Sequence, residues 1–311
     1  MALHLVGARP LWDEASGRVS GVEILPVAEL DRPRIDVTLR VSGLFRDVFE
    51  TLTALFQQAV RALAARDEAP DWNPYADAAA PDAGPRVYGP APGSFGVGMG
   101  TLLGDYSEEG RRAAGEAWLA ASSWALDGAR QAEDEAGIRA RVAAADAFVH
   151  PQDLPETDLL LAEDYAAHEA GFAAAQGVAG GAARLWHLDA TDPARPRARS
   201  LPEEIARVVR ARAANPAWVA GMRRHGFRGA AEIAATLENM AAFAHLAGAV
   251  GPHLFDAFWD ATLGDDETAA FLAGANPGAL AAMRARFAAL AAAGLWETRR
   301  NSIVAELEPA E

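Results

Sequence analysis

One segment restricts the local fold more than any other, residues 32–47 with the sequence RPRIDVTLRVSGLFRD. Its first half, 35–41, has the β-branched and apolar character of a short strand. Ser42 or Gly43 can cap the helix that follows, and apolar residues then recur at helical spacing as far as Leu63. The segment therefore predicts a strand, a tight turn and a long amphipathic helix that ends near Arg66.

This strand-to-helix elbow, residues 32–47, is also unusually charged. Arg34, Arg40 and Arg46 carry guanidinium groups, whose geometry matches carboxylates. One interpretation is that they bind the carboxylates or amides of an anionic ligand, with Asp36 and Asp47 orienting them. The other is an internal Arg–Asp network that ties the strand to the helix, and the spacing alone leaves both open.

Charge and composition exclude several classes of function. The 28 basic and 43 acidic residues give a net charge of −15, which argues against nucleic acid and anionic membranes as main partners. The absence of cysteine excludes disulfides, thiolate nucleophiles and zinc–cysteine sites. All basic residues are arginine, so neither a P-loop nor a Schiff-base site can form. Any ATP hydrolysis must therefore occur on another subunit.

The chain carries no membrane or export signal that we recognise. Its N-terminus lacks a basic stretch followed by a long apolar core, and no apolar run approaches the roughly 20 residues of a membrane helix. We expect a cytoplasmic protein without a membrane span. With 311 residues, it can form one large domain or two.

Local patterns along the chain alternate between strand and helix before they become helical throughout. Residues 10–26 predict a β-hairpin, and strands are predicted at 147–150 and 183–188 with a helix at 164–176 between them. From Ser200 onward, starting with a capping box, every segment has helical periodicity. The expected fold class is mixed α/β and helix-rich, with short strands in the N-terminal portion and an all-helical C-terminal portion.

We divide the chain into four consecutive segments. Residues 1–66 form an α/β segment with the charged elbow, and 67–92, rich in Pro, Ala, Asp and Gly, form a linker or long loop. Residues 93–195 form a second α/β segment with Gly-rich and His/Asp-rich loops, and 196–311 form the helical region. The Gly-rich stretch 89–100 fits no phosphate-binding spacing, so we expect it to approach a ligand or another strand closely.

A loop after the strand at 147–150 collects imidazole and carboxylate groups: His150, Asp153, Asp158, Asp164 and Glu169. These groups suit the transient binding of a divalent first-row cation, or the acceptance of a proton. The alternative is a solvated acidic loop with a capping histidine, since no pair has the spacing typical of a metal site. The scattered histidines His4, His187, His245 and His253 are assigned no role, and His225 is interpreted as a packing residue.

Four motifs in order resemble one family. They are RPRIDV…SGLFRD at 32–47, VYGPAPGSF at 87–95, HPQD at 150–153 with its continuation to Gly171, and NPAWVAGMRRHGFRG at 215–229. The chain is similar to the C-terminal part of the cobaltochelatase large subunit CobN and of the magnesium chelatase H subunit.

The resemblance implies ATP-dependent insertion of cobalt into a tetrapyrrole, hydrogenobyrinic acid a,c-diamide, during cobalamin synthesis. The divalent metal is then a substrate, with cobalt preferred because the HPQD motif and the run at 230–236 are similar to CobN, and magnesium as the alternative. ATP would be used by an AAA+ subunit (CobS-like) with an integrin-type partner (CobT-like), and the rest of the large subunit would be a further partner. Tyr88 and Phe95 become candidate stacking surfaces for the flat macrocycle, unless they belong to the core.

The resemblance also shows departures from the family pattern. Pro151, Leu154, Leu161 and His168 stand where the family usually has other residues. All four lie in the loop with the candidate functional groups. A second hypothesis is therefore a truncated or stand-alone homologue that binds a tetrapyrrole, a metal or a motor partner without completing insertion.

Overall fold

The computed structural model describes residues 1–76, 84–97 and 104–307. The fold is mixed α/β and rich in helix, with short strands in small sheets, which confirms the predicted fold class. Two compact units are present. The first comprises the described residues within Met1–Gly98 and Leu119–Arg141, and the second those within Met99–Trp118 and Val142–Glu311.

The strands are β1 (Ala8–Asp13), β2 (Arg18–Ile24), β3 (Leu39–Arg40), β4 (Val87–Gly89), β5 (Trp124–Asp127), β6 (Arg130–Glu133), β7 (Ala147–Gln152), β8 (Arg184–Asp189) and β9 (Arg197–Ser200). The helices are α1 (Ala2–Leu5), α2 (Gly43–Val48), α3 (Glu50–Ala64), α4 (Glu108–Ala120), α5 (Glu135–Ala144), α6 (Glu163–Tyr165), α7 (Gly171–Ala179), α8 (Leu201–Val208), α9 (Pro216–Arg223), α10 (Gly226–Ala247), α11 (Pro252–Ala261), α12 (Asp266–Ala275), α13 (Pro277–Ala292) and α14 (Asn301–Leu307). A 3-10 turn spans Val27–Glu29, and π-helical turns span Ala166–Ala170 and Val209–Ala213.

The first unit is built on two small sheets. The antiparallel pair β1–β2 is the predicted hairpin, and a four-stranded sheet has the order β3-β4-β5-β6, with β3 and β4 parallel. Helix α3 buries one apolar face, including Phe56, Val60 and Leu63, in a core shared with Val87 and Leu126. Burial of this apolar stripe is what fixes the amphipathic helix on the sheets.

The elbow differs from its prediction in two details. The strand predicted at 35–41 is shortened to β3 (Leu39–Arg40). Ile35 and Val37 do not pair with a strand, because they donate their N–H groups to the carbonyl of Leu5 and the hydroxyl of Tyr75. The long helix is two helices. Phe49, at φ −122° and ψ 34°, ends α2 and caps α3, while Ser42, one of the two predicted capping residues, caps α2.

The predicted linker at 67–92 is in part a core element. Tyr75 is 1% exposed and donates its hydroxyl to the carbonyl of Ile35, and Val87 and Tyr88 of β4 are fully buried. The Pro and Gly content of this segment favours a loop. Burial of Tyr75, Val87 and Tyr88 in the hydrophobic core stabilises an ordered conformation instead. Residues 77–83 of this segment lie outside the described residues.

The second unit holds a three-stranded sheet and a large helical region. Strands β7 and β8 are parallel, and β9 pairs antiparallel with β8. A continuous helical crossover, α6, the π-helical turn and α7, joins the parallel strands, as such pairs require. The predicted strands at 147–150 and 183–188 and the helix between them are thus confirmed.

The predicted helical region begins at Leu201 and continues through α14. Ser200 and Glu203 form the expected capping box, and Asn276 caps α13 by accepting from the Ala279 N–H at 3.0 Å. Helix α10 is the most buried of these helices and packs against α9 and α13. Within the described parts of the chain, no helix is both long enough and apolar enough to cross a membrane.

Candidate functional site

The three arginines of the elbow are all tied into the first unit, each in a different way. Arg34 is 4% exposed, and its five N–H donors are used by the carboxylate of Glu68 and the carbonyls of Val6, Gly7 and Leu25. A guanidinium with every donor used has none left for a ligand carboxylate. Arg34 therefore has the bonding pattern of the internal network.

Arg46 is also buried, and it holds the Gly-rich loop. Its guanidinium donates to the carboxylate of Asp47 at 2.7 and 3.0 Å and to the backbone carbonyls of Pro90, Ala91 and Ser94. The hydrogen bonds from Arg46 lower the pKa of Asp47 from its ordinary value. Asp47 thus holds the guanidinium of Arg46, and the pair anchors a loop.

Arg40 and Asp36 do not meet each other. Arg40 donates to the hydroxyl of Ser122 at 3.1 Å and to the carbonyl of Ala121 at 3.2 Å. Asp36 accepts from Arg86 at 2.7 and 3.2 Å and lies 3.4 Å from Arg141. Asp36 therefore orients Arg86, which directly precedes β4, rather than an arginine of the elbow.

The two aromatic candidates of the first unit differ in exposure. Tyr88 is fully buried and donates its hydroxyl to Asp134 at 2.8 Å, so it presents no ring face to a ligand. Phe95 is 59% exposed, and the guanidinium of Arg46 lies 5.9 Å from its ring centroid. A Cβ added at Gly43 would lie 2.5 Å from the carbonyl of Ser94, so this glycine lets the helix start approach the loop that presents Phe95.

The elbow also borders a cavity of about 470 Å³ in the first unit. Apolar side chains from α1, β2, the elbow and α3 line most of it, including Leu3, Val22, Val41, Phe45 and Leu52. His4 and Arg9 are its titratable lining groups, and Arg9 is paired with Glu23. The cavity suits apolar contact better than acid–base chemistry.

The second unit brings titratable groups together through strand register. In the parallel pair β7–β8, His150 and His187 are direct Cα partners, so their side chains leave the sheet side by side on one face. Gln152 lies two residues after His150 and therefore on the same face. His187 is fully buried, whereas the side chain of His150 is 22% exposed.

Glu169 completes this group from the helical crossover. Its Oε1 accepts from Nδ1 of His150 at 3.0 Å and from Nδ1 of His187 at 2.9 Å. It lies in the π-helical turn Ala166–Ala170, a kind of helix irregularity often found at functional sites. Burial alone would raise the pKa of Glu169, but the hydrogen bonds from both histidines outweigh burial and lower it.

Gln152 extends the group on the buried side. Its Oε1 lies 3.0 Å from Nε2 of His187, and its amide nitrogen donates to the carbonyls of Leu154 and Thr157. The resulting chain of hydrogen bonds runs from Gln152 through His187 and Glu169 to the half-buried ring of His150. We call these four residues the His–Glu–His site.

Aromatic and imidazole rings surround the open edge of the His–Glu–His site. The ring centroid of Tyr165 lies 5.0 Å from that of His150 and 5.8 Å from that of His187, and His168 lies edge-on to His150 at 5.7 Å. Burial, helped by the carboxylate of Glu169 and by nearby aspartates, raises the pKa of the Tyr165 hydroxyl to about 12. Tyr165 is therefore a neutral hydrogen-bonding group at ordinary pH.

The predicted acidic residues of the loop are placed differently from one another. Asp158 forms a two-pronged ion pair with Arg212, whose guanidinium also lies 4.8 Å from the ring centroid of Trp218. Asp153 and Asp164 are exposed. Among the described residues, no group of three or more His, Asp or Glu side chains is arranged to hold a metal ion.

His187 was missed by the sequence reasoning, which assigned it no role. A signal was available, because two predicted strands separated by a helix imply a parallel pair. A parallel pair of 147–150 and 183–188 places a histidine from each strand at one edge. The register itself, and hence the shared contact with Glu169, required the structure.

Comparison with known proteins agrees with this architecture. The family model described as CobN/Magnesium Chelatase matches residues 1–303. The chain therefore belongs to the CobN/magnesium chelatase family.

Individual relatives give the same result. The aerobic cobaltochelatase subunit CobN of a Sinorhizobium species is 40% identical over 324 residues, covering 98% of this chain and 25% of the relative. The H subunit of the magnesium chelatase of Rhodobacter capsulatus is 27% identical over 309 residues, covering 95% of this chain and 26% of the relative. The solved catalytic subunit of cobaltochelatase from Mycobacterium tuberculosis superposes with a TM-score of 0.88 at 32% identity, covering 98% of this chain and 27% of that one. The chain thus spans about a quarter of the length of the relatives that it matches.

Proposed function

We propose that this chain acts as the C-terminal part of a CobN-type cobaltochelatase large subunit in ATP-dependent cobalt insertion into a corrin-ring precursor, in the cytoplasm, during cobalamin biosynthesis. Membership of the family supports the general reaction, which is the insertion of a divalent metal into a tetrapyrrole. The observation that carries the proposal is the His–Glu–His site, where a buried carboxylate orients the partly exposed ring of His150.

Metal insertion needs a group of this kind. Each macrocycle N–H bond that breaks as a nitrogen–metal bond forms releases one proton, and a positioned side chain can accept it. His150 donates its Nδ1–H to Glu169, so its Nε2 is the nitrogen with an available lone pair. We assign proton acceptance to Nε2 of His150 and orientation of the ring to Glu169.

The other predicted acidic residues fit supporting roles. Asp158 is held by Arg212, and this ion pair fixes the loop that follows β7. Asp153 and Asp164 are exposed and are proposed to attract the incoming cation, because exposed carboxylates raise the local concentration of cations. In this proposal the metal is a substrate that passes through the site.

Cobalt is the proposed metal, with magnesium as the alternative within the family. The CobN relative is 40% identical to this chain, whereas the magnesium-chelatase relative is 27% identical. ATP hydrolysis is assigned to partner subunits, a CobS-like AAA+ protein with a CobT-like partner. The sequence supports this assignment because a P-loop requires a lysine, and this chain has none.

In the first unit, Phe95 is the proposed contact for the macrocycle. It is the exposed member of the aromatic pair predicted from the sequence, and flat ligands stack on such rings. Arg46 and Asp47 are proposed to hold the loop that presents Phe95, with Arg34, Arg40 and Asp36 stabilising the strand behind it. Tyr88, which is buried, is proposed to support the same sheet.

The test is an absorbance titration of the purified chain with hydrogenobyrinic acid a,c-diamide, followed by cobalt insertion with the rest of the large subunit and the CobS-like and CobT-like subunits added. We expect His150→Ala to leave macrocycle binding within twofold and to lower the insertion rate by 10²- to 10⁴-fold, roughly the size of a general-base contribution. His253→Ala, a change at an exposed histidine of α11, is the matched control and should have no effect. Equal insertion rates for the two variants would sink the assignment.

A second function, that of a non-catalytic homologue, has two observations in its favour. Among the described residues no side chains are grouped as a metal site, and the Asp158 carboxylate is already used by Arg212. A chain of this kind would bind the macrocycle or a partner subunit but support no insertion under any condition. The insertion experiment therefore separates the two functions, because only the chelatase proposal predicts turnover by the wild-type chain.

A further inference from the structure

The hydrogen bonds of His187 decide which of its ring nitrogens carry protons. Nδ1 faces the carboxylate of Glu169 and Nε2 faces Oε1 of Gln152. The amide of Gln152 cannot be reversed without loss, because its nitrogen donates to the carbonyls of Leu154 and Thr157. Carboxylate and amide oxygens only accept hydrogen bonds, so both nitrogens of His187 must donate. His187 is therefore a positively charged imidazolium.

The surroundings of His187 require a negative partner. Both its side chain and that of Glu169 are at most 1% exposed, and a buried charge is tolerated only when it is paired and hydrogen-bonded. The carboxylate of Glu169 supplies that pairing at 2.9 Å. The two residues form a buried pair with no net charge.

The pairing with His187 weakens the electrostatic attraction between the Glu169 carboxylate and a protonated His150. A carboxylate next to a single histidine favours the charged form of that ring, because opposite charges attract. Here the same oxygen, Oε1, already neutralises His187 when it accepts the Nδ1–H of His150. The hydrogen bond to Glu169 therefore holds His150 in place. Because His187 already neutralises the carboxylate, Glu169 does not present a full negative charge that would keep the His150 ring protonated.

The remaining groups around His150 do not alter this balance. The nearest carboxylates other than Glu169 are those of Asp153, Asp158 and Asp164, which act on the adjacent Tyr165 hydroxyl. Arg212 neutralises Asp158, while Asp153 and Asp164 are exposed, so that solvent and salt screen their charges.

Tyr165 and His168 are the titratable residues whose rings contact His150, and Tyr165 is neutral at ordinary pH. Nε2 of His150 has no hydrogen-bond partner among the described residues, and the ring is partly exposed. The lone pair of Nε2 is thus directed to the accessible side of the ring.

We propose that His187 is a positioning residue for His150: as a buried imidazolium it neutralises Glu169, so that His150 stays neutral with an open Nε2 able to accept a proton. This proposal rests on the function proposed above, since it explains how His150 is kept ready for proton transfer. It adds a residue that acts through Glu169 and touches no substrate.

The protonation of both rings can be read directly by ¹⁵N NMR of the 311-residue chain with labelled histidine, at pH 7 and without macrocycle. Seven histidines give a spectrum that single substitutions can assign. We expect His187 to carry protons on both nitrogens and His150 on Nδ1 only. In His187→Asn, which keeps an N–H donor near Glu169 but loses the charge, we expect His150 to gain a proton on Nε2 at the same pH.

His245→Asn is the matched control, because His245 is also buried in the second unit but packs against Tyr106. It should leave the His150 signals unchanged. A wild-type His187 with one protonated nitrogen overturns the proposal, as does an unchanged His150 in folded His187→Asn. If that variant does not fold, the wild-type spectrum decides alone. The chain could also show the expected protonation but neither bind the macrocycle nor support insertion. That result would overturn the proposed function and leave the role of His187 intact.

Discussion

His150 and His187 are register partners on parallel strands, and their Nδ1 atoms lie within 3.0 Å of the same oxygen of Glu169. A single oxygen that accepts from two rings ties both strands to the crossover between them. The sheet, the π-helical turn and the candidate chemistry therefore depend on one carboxylate. This dependence makes the stability of the second unit a direct probe of the site.

Replacing Glu169 by Gln should destabilise the chain strongly. The change leaves the buried His187 without a negative partner, and breaking a buried pair in this way costs about 3–5 kcal/mol of unfolding free energy. Urea denaturation followed by circular dichroism measures the loss. Glu163→Gln, an exposed carboxylate six residues earlier, is the control and should change stability by less than about 0.5 kcal/mol. Equal effects of the two changes would contradict the pairing.

The same carboxylate predicts a pH dependence with a definite sign. The pKa of Glu169 is lower in the folded chain than its ordinary value of 4.5, so the folded state favours the ionised form. The resulting stability is present above pH 4.5 and is lost as the pH falls through the lower, folded pKa. Unfolding free energies measured between about pH 7 and pH 3 should fall more steeply for the wild-type chain than for Glu169→Gln. Parallel curves would show that Glu169 is not the group responsible.

Much of the architecture followed from local patterns in the sequence. The β1–β2 hairpin, the strands of the parallel pair and the capping box at Ser200 were all predictable, because each depends on residues close together in the chain. The break at Phe49 and the short β3 were not. The short β3 depends on hydrogen bonds to distant groups, such as that from Val37 to Tyr75.

The candidate site was predictable only in part, for the same reason. The motifs singled out His150 and Glu169, which the structure brings within 3.0 Å. They could not show that Asp158 is held by Arg212, 54 residues away, or that His187 shares Glu169. Residue types indicate which chemistry is possible, whereas strand register and packing decide which groups meet. The substrate roles of the elbow residues stay predictions.

Asp158→Asn should weaken the fold and leave the protonation of His150 unchanged. The carboxylate accepts two hydrogen bonds from Arg212, and both side chains are about 15% exposed or less. Loss of one partner of such a charge-assisted pair is expected to cost about 2 kcal/mol. Thermal unfolding measures the cost, and Asp164→Asn, an exposed change nearby, should be close to neutral. A neutral Asp158→Asn would show that the ion pair contributes nothing to the fold.

Arg46→Lys should loosen the Gly-rich loop even though the charge is kept. Lysine offers three donors on one atom and cannot reproduce the planar fork that reaches Asp47, Pro90 and Ala91 together. Hydrogen–deuterium exchange of residues 89–97 should become at least about tenfold faster, because local opening governs this exchange. Arg112→Lys, at a side chain that is 69% exposed, serves as the control and should leave the loop unchanged. Unaltered exchange in Arg46→Lys would mean that the loop holds its conformation without the fork.

Phe95→Ala should reduce macrocycle affinity while leaving the fold almost intact. The ring is 59% exposed and has Arg46 at 5.9 Å from its centroid, so its removal creates no cavity in the core. Aromatic stacking contributes about 0.5–1.5 kcal/mol, which corresponds to a roughly 2- to 10-fold loss of affinity in the absorbance titration.

Phe227→Ala is the matched control for this experiment. Phe227 is 68% exposed, and it belongs to the second unit, away from the Gly-rich loop in sequence. Both variants should keep the unfolding midpoint of the wild-type chain, because neither ring is buried. A selective loss of affinity in Phe95→Ala supports stacking on the loop. The same affinity in both variants would remove Phe95 from the proposed binding surface and leave the His–Glu–His site as the remaining candidate for contact with the substrate.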